Sequence, residues 1–242
     1  MTEMSASTLA GKRVLVTGGS SGIGRAIGAA LAGTGARVII AAREAARLNA
    51  AATAMGAQAL VTDLSTSAAA AALAARATEL LGGLDILVLS SGLYLSGTVM
   101  ELPEAALADI MGANVVGPAA LARCLAPTLA DAGGDILVIN SSIIRAPNTR
   151  GRVYFAATQH AMKAYTDGLR DELNEKGVRV TSIMPGVTAT PRQERMHRDA
   201  GKLYQPNLLL QPDDVAAVAL AALSLPHTAE VTEVCVRPRY KT

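Results

Sequence analysis

Cysteine is scarce in this sequence, and neither sign of charge is in large excess. Cys124 and Cys235 are the only cysteines, and both lie in apolar stretches, which predicts two buried thiols in a reducing cytosol. The three histidines show no metal-ligand spacing with these cysteines, so no metal site is expected. Lys and Arg number 22 against 20 Asp and Glu, and the net charge of +2 gives no electrostatic footprint for a nucleic-acid partner.

Long apolar runs are also missing. The longest ones, such as residues 215–225, are Ala-rich and too short to cross a bilayer, so no membrane partner is expected. Residues 1–10 are small and polar, and they lack the basic-then-apolar layout of a secretory signal. Together these absences predict a soluble cytoplasmic protein.

The chain does contain a regular alternation of short apolar runs with longer stretches rich in Ala and Leu. The apolar runs predict strands at residues 14–16, 38–40, 59–61, 86–89, 136–139, 178–183 and 231–236. The stretches between them predict helices at residues 23–32, 44–55, 67–81, 103–129, 153–176 and 213–223. Strands that are apolar throughout indicate helices on both faces. We therefore expect one α/β domain over residues 1–242, with a Rossmann-type, doubly wound, seven-stranded parallel sheet.

The first predicted strand runs into a glycine-rich turn that opens a helix. Glycines let the backbone approach a pyrophosphate, and a helix N-terminus offers free N–H groups and the positive end of the helix dipole. A strand before such a turn and a helix after it form the context that a dinucleotide site requires. The residues expected to contact the dinucleotide here are Gly18, Ser20, Ser21, Gly22, Ile23 and Gly24.

The ends of the second and third strands bear on the kind of dinucleotide. An NAD site has an acidic residue after the second strand, but Ala42 stands at that position and Arg43 follows. A guanidinium suits a 2′-phosphate, so NADP(H) is the preferred cofactor; NAD(H) is the alternative if Arg43 is only a solvated residue at a helix start. After the third strand, Asp63 and Leu64 are expected beside the adenine, although Asp63 also suits a helix cap.

These segments resemble the short-chain dehydrogenase/reductase family over nearly the whole chain, from about Leu9 to Arg239. The resemblance is carried by residues 17–24, Asp63-Leu64, Asn114-Val115-Val116-Gly117, Ser141-Ser142, the helix from Tyr154, and residues 185–190. The stretch at residues 231–238 resembles a subgroup of NADP-dependent alcohol and aldehyde reductases that includes the clavulanate-type dehydrogenase. The resemblance implies a dinucleotide-binding half at about residues 9–95 and a catalytic and substrate half at about residues 96–242.

The same resemblance implies further cofactor contacts and an assembly. The residues expected to hold the nicotinamide are Pro185, Gly186, Thr188 and Thr190. Where the family has Asn-Asn-Ala-Gly after the fourth strand, this chain has Leu89-Ser90-Ser91-Gly92. Ser90 and Gly92 are expected to leave room for the cofactor, with hydroxyl hydrogen bonds in place of amide ones. Family members are usually dimers or tetramers, which predicts a homodimer or homotetramer.

The family's catalytic residues are only partly present. Its members use a Ser to position the carbonyl, a Tyr to pass the proton, a Lys four residues later to lower the phenol pKa, and an Asn to support a water relay. Ser142 and Asn114 match two of these. Aligning residues 157–170 with the family helix places Phe155 at the Tyr and Gln159 at the Lys. Phe155 has no proton to give, and Gln159 can bond a ribose hydroxyl but supplies no charge.

An alternative register makes Tyr154 the proton donor and Ser141 its partner. It puts the uncharged Thr158 at the Lys position, and a shift of one residue turns a helical side chain by about 100°. Lys163, one turn beyond Gln159, is expected to be a solvated surface lysine.

Three functions fit this sequence. The preferred one is an NADP(H)-dependent oxidoreductase that acts on a small carbonyl or alcohol substrate with an atypical or impaired proton donor. The others are a cofactor-binding pseudo-enzyme and a non-redox enzyme, such as a cyclase or isomerase, that uses Ser142. An inactivated variant of a working reductase would have the same features.

Substrate choice is expected in the loops at residues 93–98, 143–152 and 191–207. The charged segment at residues 192–198 is predicted to be a mobile lid. Four arginines in these loops would favour an anionic substrate if they are more than solvated surface residues: Arg145, Arg150, Arg152 and Arg192.

Overall fold

The computed structural model describes residues 6–240, and its centre is a parallel β-sheet. In chain order the strands are β1 (Arg13–Thr17), β2 (Arg37–Ala42), β3 (Gln58–Val61), β4 (Ile86–Leu89), β5 (Asp135–Ile139), β6 (Arg179–Pro185) and β7 (Glu233–Val236). Every neighbouring pair is parallel, and the strand order is β3-β2-β1-β4-β5-β6-β7. The predicted seven-stranded, doubly wound sheet is therefore confirmed.

Helices connect the strands. Within the described residues they are α1 (Ala6–Leu9), α2 (Gly22–Gly33), α3 (Ala45–Met55), α4 (Ser67–Leu81), α5 (Ala106–Met111), α6 (Gly117–Ala132), α7 (Val153–Asn174), α8 (Pro191–Asp199) and α9 (Pro212–Leu223). A π-helical turn at Gly112–Val116 joins α5 to α6, and short 3₁₀ turns lie at Ser142–Arg145 and Pro206–Leu208.

Both faces of the sheet are buried, which explains why the strands are apolar throughout. Side chains alternate between the faces, so Val14 and Val16 pack with α2, α3 and α9, whereas Leu15 packs with α4, α6 and α7 on the other side. The strand order changes direction between β1 and β4. In such a sheet, ligands bind beyond the carboxyl ends of the strands at this switch point.

One predicted helix differs in detail. The segment at residues 103–129 is helical from Ala106 onward, and a π-helical turn at Gly112–Val116 divides it into α5 and α6. The turn lies against the loop after β3: a Cβ on Gly112 would fall 2.9 Å from the Ser65 carbonyl oxygen. Single π-helical turns of this kind are frequent at functional sites.

Two smaller predictions are also corrected. Cys124 is only half-buried. Cys235 is exposed, because β7 is an edge strand of the sheet that the described residues form. That strand begins at Glu233 rather than at residue 231. The segment at residues 192–198 lies in the helix α8, whose first turn is capped by the Thr190 hydroxyl, and its mobility as a lid stays a prediction.

The helical stretch Ala106–Ala132 is the one described segment that is long and apolar enough to cross a membrane, a candidate that the search for apolar runs missed. In the fold, Leu121, Leu125 and Leu129 of this stretch are buried in the layer that covers the sheet. It is therefore placed as a core helix. Of the N-terminal segment considered for a secretory signal, residues 1–5 lie outside the described part of the chain.

Candidate functional site

A cavity of about 590 Å³ opens at the carboxyl ends of the strands, around the switch point between β1 and β4. This volume lies in the range of small-ligand sites. Its wall includes every sequence-predicted cofactor residue: Gly18, Ser20, Ser21, Gly22, Ile23, Gly24, Arg43, Asp63, Leu64, Ser90, Gly92, Gln159, Pro185, Gly186, Thr188 and Thr190. Asn114, Ser142 and Phe155 line the same cavity, whereas Tyr154 does not.

Two glycines of the glycine-rich turn have no room for a side chain. Gly18 has a φ of +69°, and a Cβ there would lie 2.7 Å from the Ser90 carbonyl oxygen. A Cβ on Gly24 would lie 2.6 Å from the Gly18 carbonyl oxygen, so the first turn of α2 packs directly on the loop. These contacts leave the backbone itself as the cavity wall, which lets an extended phosphate group approach the helix.

The N-terminus of α2 is uncapped, unlike those of several other helices. Its N-cap residue, Ser21, makes no side-chain capping bond, whereas Glu44, Thr66 and Thr190 cap α3, α4 and α8. The N–H groups of the first helical turn therefore have no side-chain acceptor among the described residues. Free N–H groups and the positive dipole end at this position fit an anion such as a diphosphate.

Charged residues in the loop after β2 differ in whether they have a partner. Glu44 accepts a hydrogen bond from the Arg47 backbone N–H at 3.1 Å and pairs with the Arg47 guanidinium at 3.3 Å. Arg43 is exposed, lines the cavity and has no ion-pair partner among the described residues. The carboxylate next to Arg43 is thus already occupied, and the Arg43 guanidinium is free to meet a phosphate.

Asp63 does not cap α4, which was the alternative role expected for it from the sequence. The cap of α4 is Thr66, whose hydroxyl accepts from the Ala69 N–H at 3.2 Å. Asp63 lines the cavity and forms no hydrogen bond with the described residues, so its carboxylate can accept from a ligand amino group. Leu64 beside it is buried.

The loop after β4 is not braced by serine hydroxyls, which corrects the expectation for Ser90 and Ser91. Their backbone N–H groups donate to the Thr17 hydroxyl oxygen at 3.0 and 3.2 Å. The Ser91 hydroxyl is buried without a partner in the described structure. The brace comes instead from Thr17 of β1, because its side chain reaches across the switch point.

Asn114 lies in the π-helical turn and is buried. Its Oδ1 accepts from the Leu93 N–H at 2.6 Å, and its Nδ2 donates to the Leu93 carbonyl at 2.9 Å and to the Thr158 hydroxyl at 3.0 Å. The side-chain amide therefore joins the loop after β4 to α7 and has both of its hydrogens engaged.

The two serines after β5 have different environments. The Ser141 hydroxyl accepts from the Ile143 N–H at 3.2 Å and so caps the 3₁₀ turn. The Ser142 hydroxyl lines the cavity and forms no hydrogen bond with the described residues, so it is free to bond a ligand oxygen. Asn140, which the sequence analysis missed, fixes this segment: it accepts from the Ser141 N–H at 2.7 Å and donates to the Gln159 carbonyl at 3.2 Å.

Helix α7 presents Phe155 and Gln159 to the cavity, and both are buried. Four residues along a helix bring two side chains to nearly the same face, whereas one residue turns them apart by about 100°. For this reason Tyr154 packs against the small apolar cluster that contains Ile143 instead of reaching the cavity. The alternative register, with Tyr154 as the donor, is not the arrangement that the structure has.

Lys163 does not supply the missing cation, and it is not a free surface lysine either. Its ammonium pairs with Asp167 on the next turn of α7 and with Glu233 on β7. These partners raise the pKa of Lys163 and hold its charge at the edge of the sheet. Neither Lys163 nor its partners line the cavity.

Tyr94 is a cavity residue that the sequence analysis did not single out. Its ring meets the Phe155 ring edge-on, with 4.9 Å between the centroids. Burial raises the pKa of Tyr94, although the positive charges of Arg152 and Arg192 oppose the rise. Its hydroxyl forms no hydrogen bond with the described residues and is not buried. Only the placement of this residue in the predicted substrate loop at residues 93–98 hinted at a role.

The sheet and the cavity define a Rossmann-type α/β protein. The family model described as short chain dehydrogenase matches residues 12–201, and the chain belongs to this family. An uncharacterized oxidoreductase of Staphylococcus saprophyticus is 33% identical over 233 residues, which cover 94% of this chain and 97% of that protein. The predicted family is thereby confirmed.

Solved structures of the family superpose over almost the whole chain. A short chain dehydrogenase from Burkholderia cenocepacia in complex with NADP has a TM-score of 0.83 at 30% identity, covering 94% of this chain and 97% of that one. An alcohol dehydrogenase from Thermococcus sibiricus complexed with 5-hydroxy-NADP has a TM-score of 0.84 at 25% identity, covering 96% and 98%. The seven-stranded fold is therefore shared with proteins that bind NADP-type ligands.

Proposed function

We propose that this protein is an NADP(H)-dependent oxidoreductase that transfers a hydride between the nicotinamide and a small carbonyl or alcohol substrate. One observation carries the proposal: a single cavity joins the uncapped, glycine-walled start of α2 to the free hydroxyl of Ser142. The first end suits a diphosphate, and the second suits a carbonyl oxygen. The NADP bound to the Burkholderia relative supports the same conclusion.

The choice of NADP(H) over NAD(H) rests on Arg43, which is unpaired while Glu44 is engaged by Arg47. At the other end of the cofactor, Pro185, Gly186, Thr188 and Thr190 would border the nicotinamide. Gln159 donates to Thr158 only at 3.4 Å, so its amide remains available to a ribose hydroxyl. The bound cofactor supplies the hydride, and these residues orient it.

The proton must come from a group other than residue 155, because a phenylalanine ring carries none. Tyr94 supports this part of the proposal, since it is the one tyrosine among the described residues that line the cavity. A phenol is protonated at neutral pH, and burial raises the pKa of Tyr94 further, so its hydroxyl can donate a hydrogen bond to a substrate oxygen. Without a neighbouring lysine the transfer is expected to be slow.

Matched tyrosine variants test this assignment. NADPH oxidation is followed with a panel of aldehydes and ketones, using the wild type, Tyr94→Phe and Tyr154→Phe. We expect kcat to fall at least about tenfold in Tyr94→Phe and to stay unchanged in Tyr154→Phe, whose ring lies outside the cavity. Equal rates for all three proteins would show that Tyr94 is not the donor.

The same cavity favours a second candidate, a cofactor-binding protein without redox turnover. The specific observation is that Phe155 and Gln159, which line the cavity, carry neither an acidic proton nor a charge, while Lys163 is held elsewhere by two carboxylates. Tight NADPH binding with no turnover across the panel would favour this candidate.

We also propose that the chain works in the cytoplasm as one domain over residues 1–242 and assembles as a homodimer or homotetramer. The predicted halves at about residues 9–95 and 96–242 both contribute strands to one sheet and residues to one cavity. Leu107, Val116 and Val153 expose apolar side chains around the π-helical turn and the start of α7, which suits burial against a second copy. Light scattering should give a mass at least twice the 24.7 kDa of one chain; a monomer would contradict the assembly.

A further inference from the structure

Three arginines share the part of the cavity wall formed by α7, α8 and the loop after β4. Arg152 is the N-cap residue of α7, and Arg192 and Arg195 lie three residues apart in α8, so they are neighbours on one helix surface. None of the three forms an ion pair with a described carboxylate. Arg152 donates to the Asn148 carbonyl at 3.1 Å. Their remaining N–H groups are available to a ligand.

Acidic residues are missing from this end of the cavity. Among the described residues that line it, the only carboxylates are Glu44 and Asp63, which follow β2 and β3 at the nucleotide end. The two ends of the cavity therefore differ in charge, and the end near α8 attracts anions.

Aromatic contacts link Arg192 to Tyr94, the proposed proton donor, and to Phe155. The Arg192 guanidinium carbon lies 5.7 Å from the centroid of the Tyr94 ring, which in turn meets Phe155 edge-on. Arg192 is exposed as a residue, and this cation–π contact favours a position of its guanidinium at the cavity wall. The cavity wall also includes the apolar residues Leu93, Ile143 and Met196.

We propose that this arginine cluster binds an oxyanion of the substrate, a carboxylate or a phosphate, so that the substrate is an anionic carbonyl compound or alcohol with an apolar body. The proposal rests on the proposed function, because it names the substrate class of the same cavity. A planar guanidinium can form two parallel hydrogen bonds to either oxyanion. The apolar wall and the two rings take the rest of the molecule.

The cofactor's own phosphates are the competing ligand. Helix α8 begins next to the glycine-rich turn, since a Cβ on Gly22 would lie 3.1 Å from Thr190 Cγ2. The Arg192 variants are therefore tested for cofactor binding as well as for substrate binding. Arg152 is the N-cap residue of α7 rather than part of α8, so its variants give an independent measurement of anion binding.

The experiment is a calorimetric titration of the protein, with and without saturating NADP⁺, which cannot donate a hydride to the probe. The probes are benzoylformate, its neutral methyl ester and phenyl phosphate. The variants are Arg152→Gln and Arg192→Gln, with the charge-retaining Arg152→Lys and Arg192→Lys. The matched controls are Arg150→Gln and Arg198→Gln, neighbours whose side chains do not line the cavity. Circular dichroism checks that each variant is folded.

We expect at least one of the two anions to bind about tenfold or more tightly than the ester, and less tightly as salt increases. Each Gln variant should lose about tenfold in this affinity, the Lys variants less, and the controls nothing. An ester that binds as well as both anions, or Gln variants that weaken only NADP⁺, would overturn the proposal. If NADP⁺ fails to bind, the proposed function fails, and the cofactor-free titration still decides whether the cluster takes an anion.

Discussion

Restoring a tyrosine at position 155 and a lysine at position 159 should raise the rate of carbonyl reduction. A positioned acid–base group contributes about 10²–10⁴ in rate, which is about 2.7–5.5 kcal/mol of activation free energy. Phe155 lines the cavity beside Tyr94, so we expect a hydroxyl added to its ring to face the cavity. We expect kcat/KM of the double variant to rise by about 10²-fold or more.

The single variants should behave differently. Gln159 is 7% exposed, and no described carboxylate lines this end of the cavity, so a lysine there is expected to be a buried cation without a partner. Burial lowers a lysine pKa, and each unit costs about 1.4 kcal/mol of unfolding free energy at neutral pH. Gln159→Lys alone should therefore be less stable than wild type, and Phe155→Tyr alone should gain less rate than the pair.

The assay measures initial rates of NADPH consumption with one carbonyl substrate for all four proteins. NADPH affinity is measured on the same samples, so that a loss of binding is not mistaken for a loss of chemistry. A double variant that binds NADPH like the wild type and yet shows no rate increase would refute the assignment of positions 155 and 159 to the proton-transfer site.

Two further predictions concern the cofactor and the fold. Arg43→Ala should weaken NADPH binding about tenfold or more without changing NADH binding, because the unpaired guanidinium would meet only the 2′-phosphate; an equal effect on both cofactors would contradict this. Arg179→Ala should lower the free energy of unfolding in urea by about 3–5 kcal/mol, since it leaves the half-buried Asp135 without the partner at 2.7 Å. The exposed ion pair between Arg76 and Glu79 serves as the control. Arg76→Ala should lower the free energy of unfolding by less than about 1 kcal/mol.

The sheet and the cofactor end of the cavity were predictable because they depend on local patterns. Each short apolar run is a strand, and the turn at residues 17–24 lies between a strand and a helix as its glycines require. Parallel strands bring their carboxyl ends to one edge of the sheet, so the motifs that follow them had to meet. The placement of Arg43 and Asp63 in the cavity wall follows from this topology alone.

What was not predictable depends on contacts between distant segments. The bonds from Asn114 to Leu93 and Thr158 arise only once the π-helical turn, the loop after β4 and α7 pack together. Likewise, Lys163 meets Glu233 across 70 residues of chain, and no spacing rule reveals that partner. The contact of Arg192 with Tyr94 is of the same kind.

The central claim is that the cavity is an NADP(H) site, and a calorimetric titration with NADPH and NADH tests it most directly. We predict that NADPH binds to one site per chain, at least about tenfold more tightly than NADH. If neither nicotinamide dinucleotide binds to the folded protein, the account is contradicted.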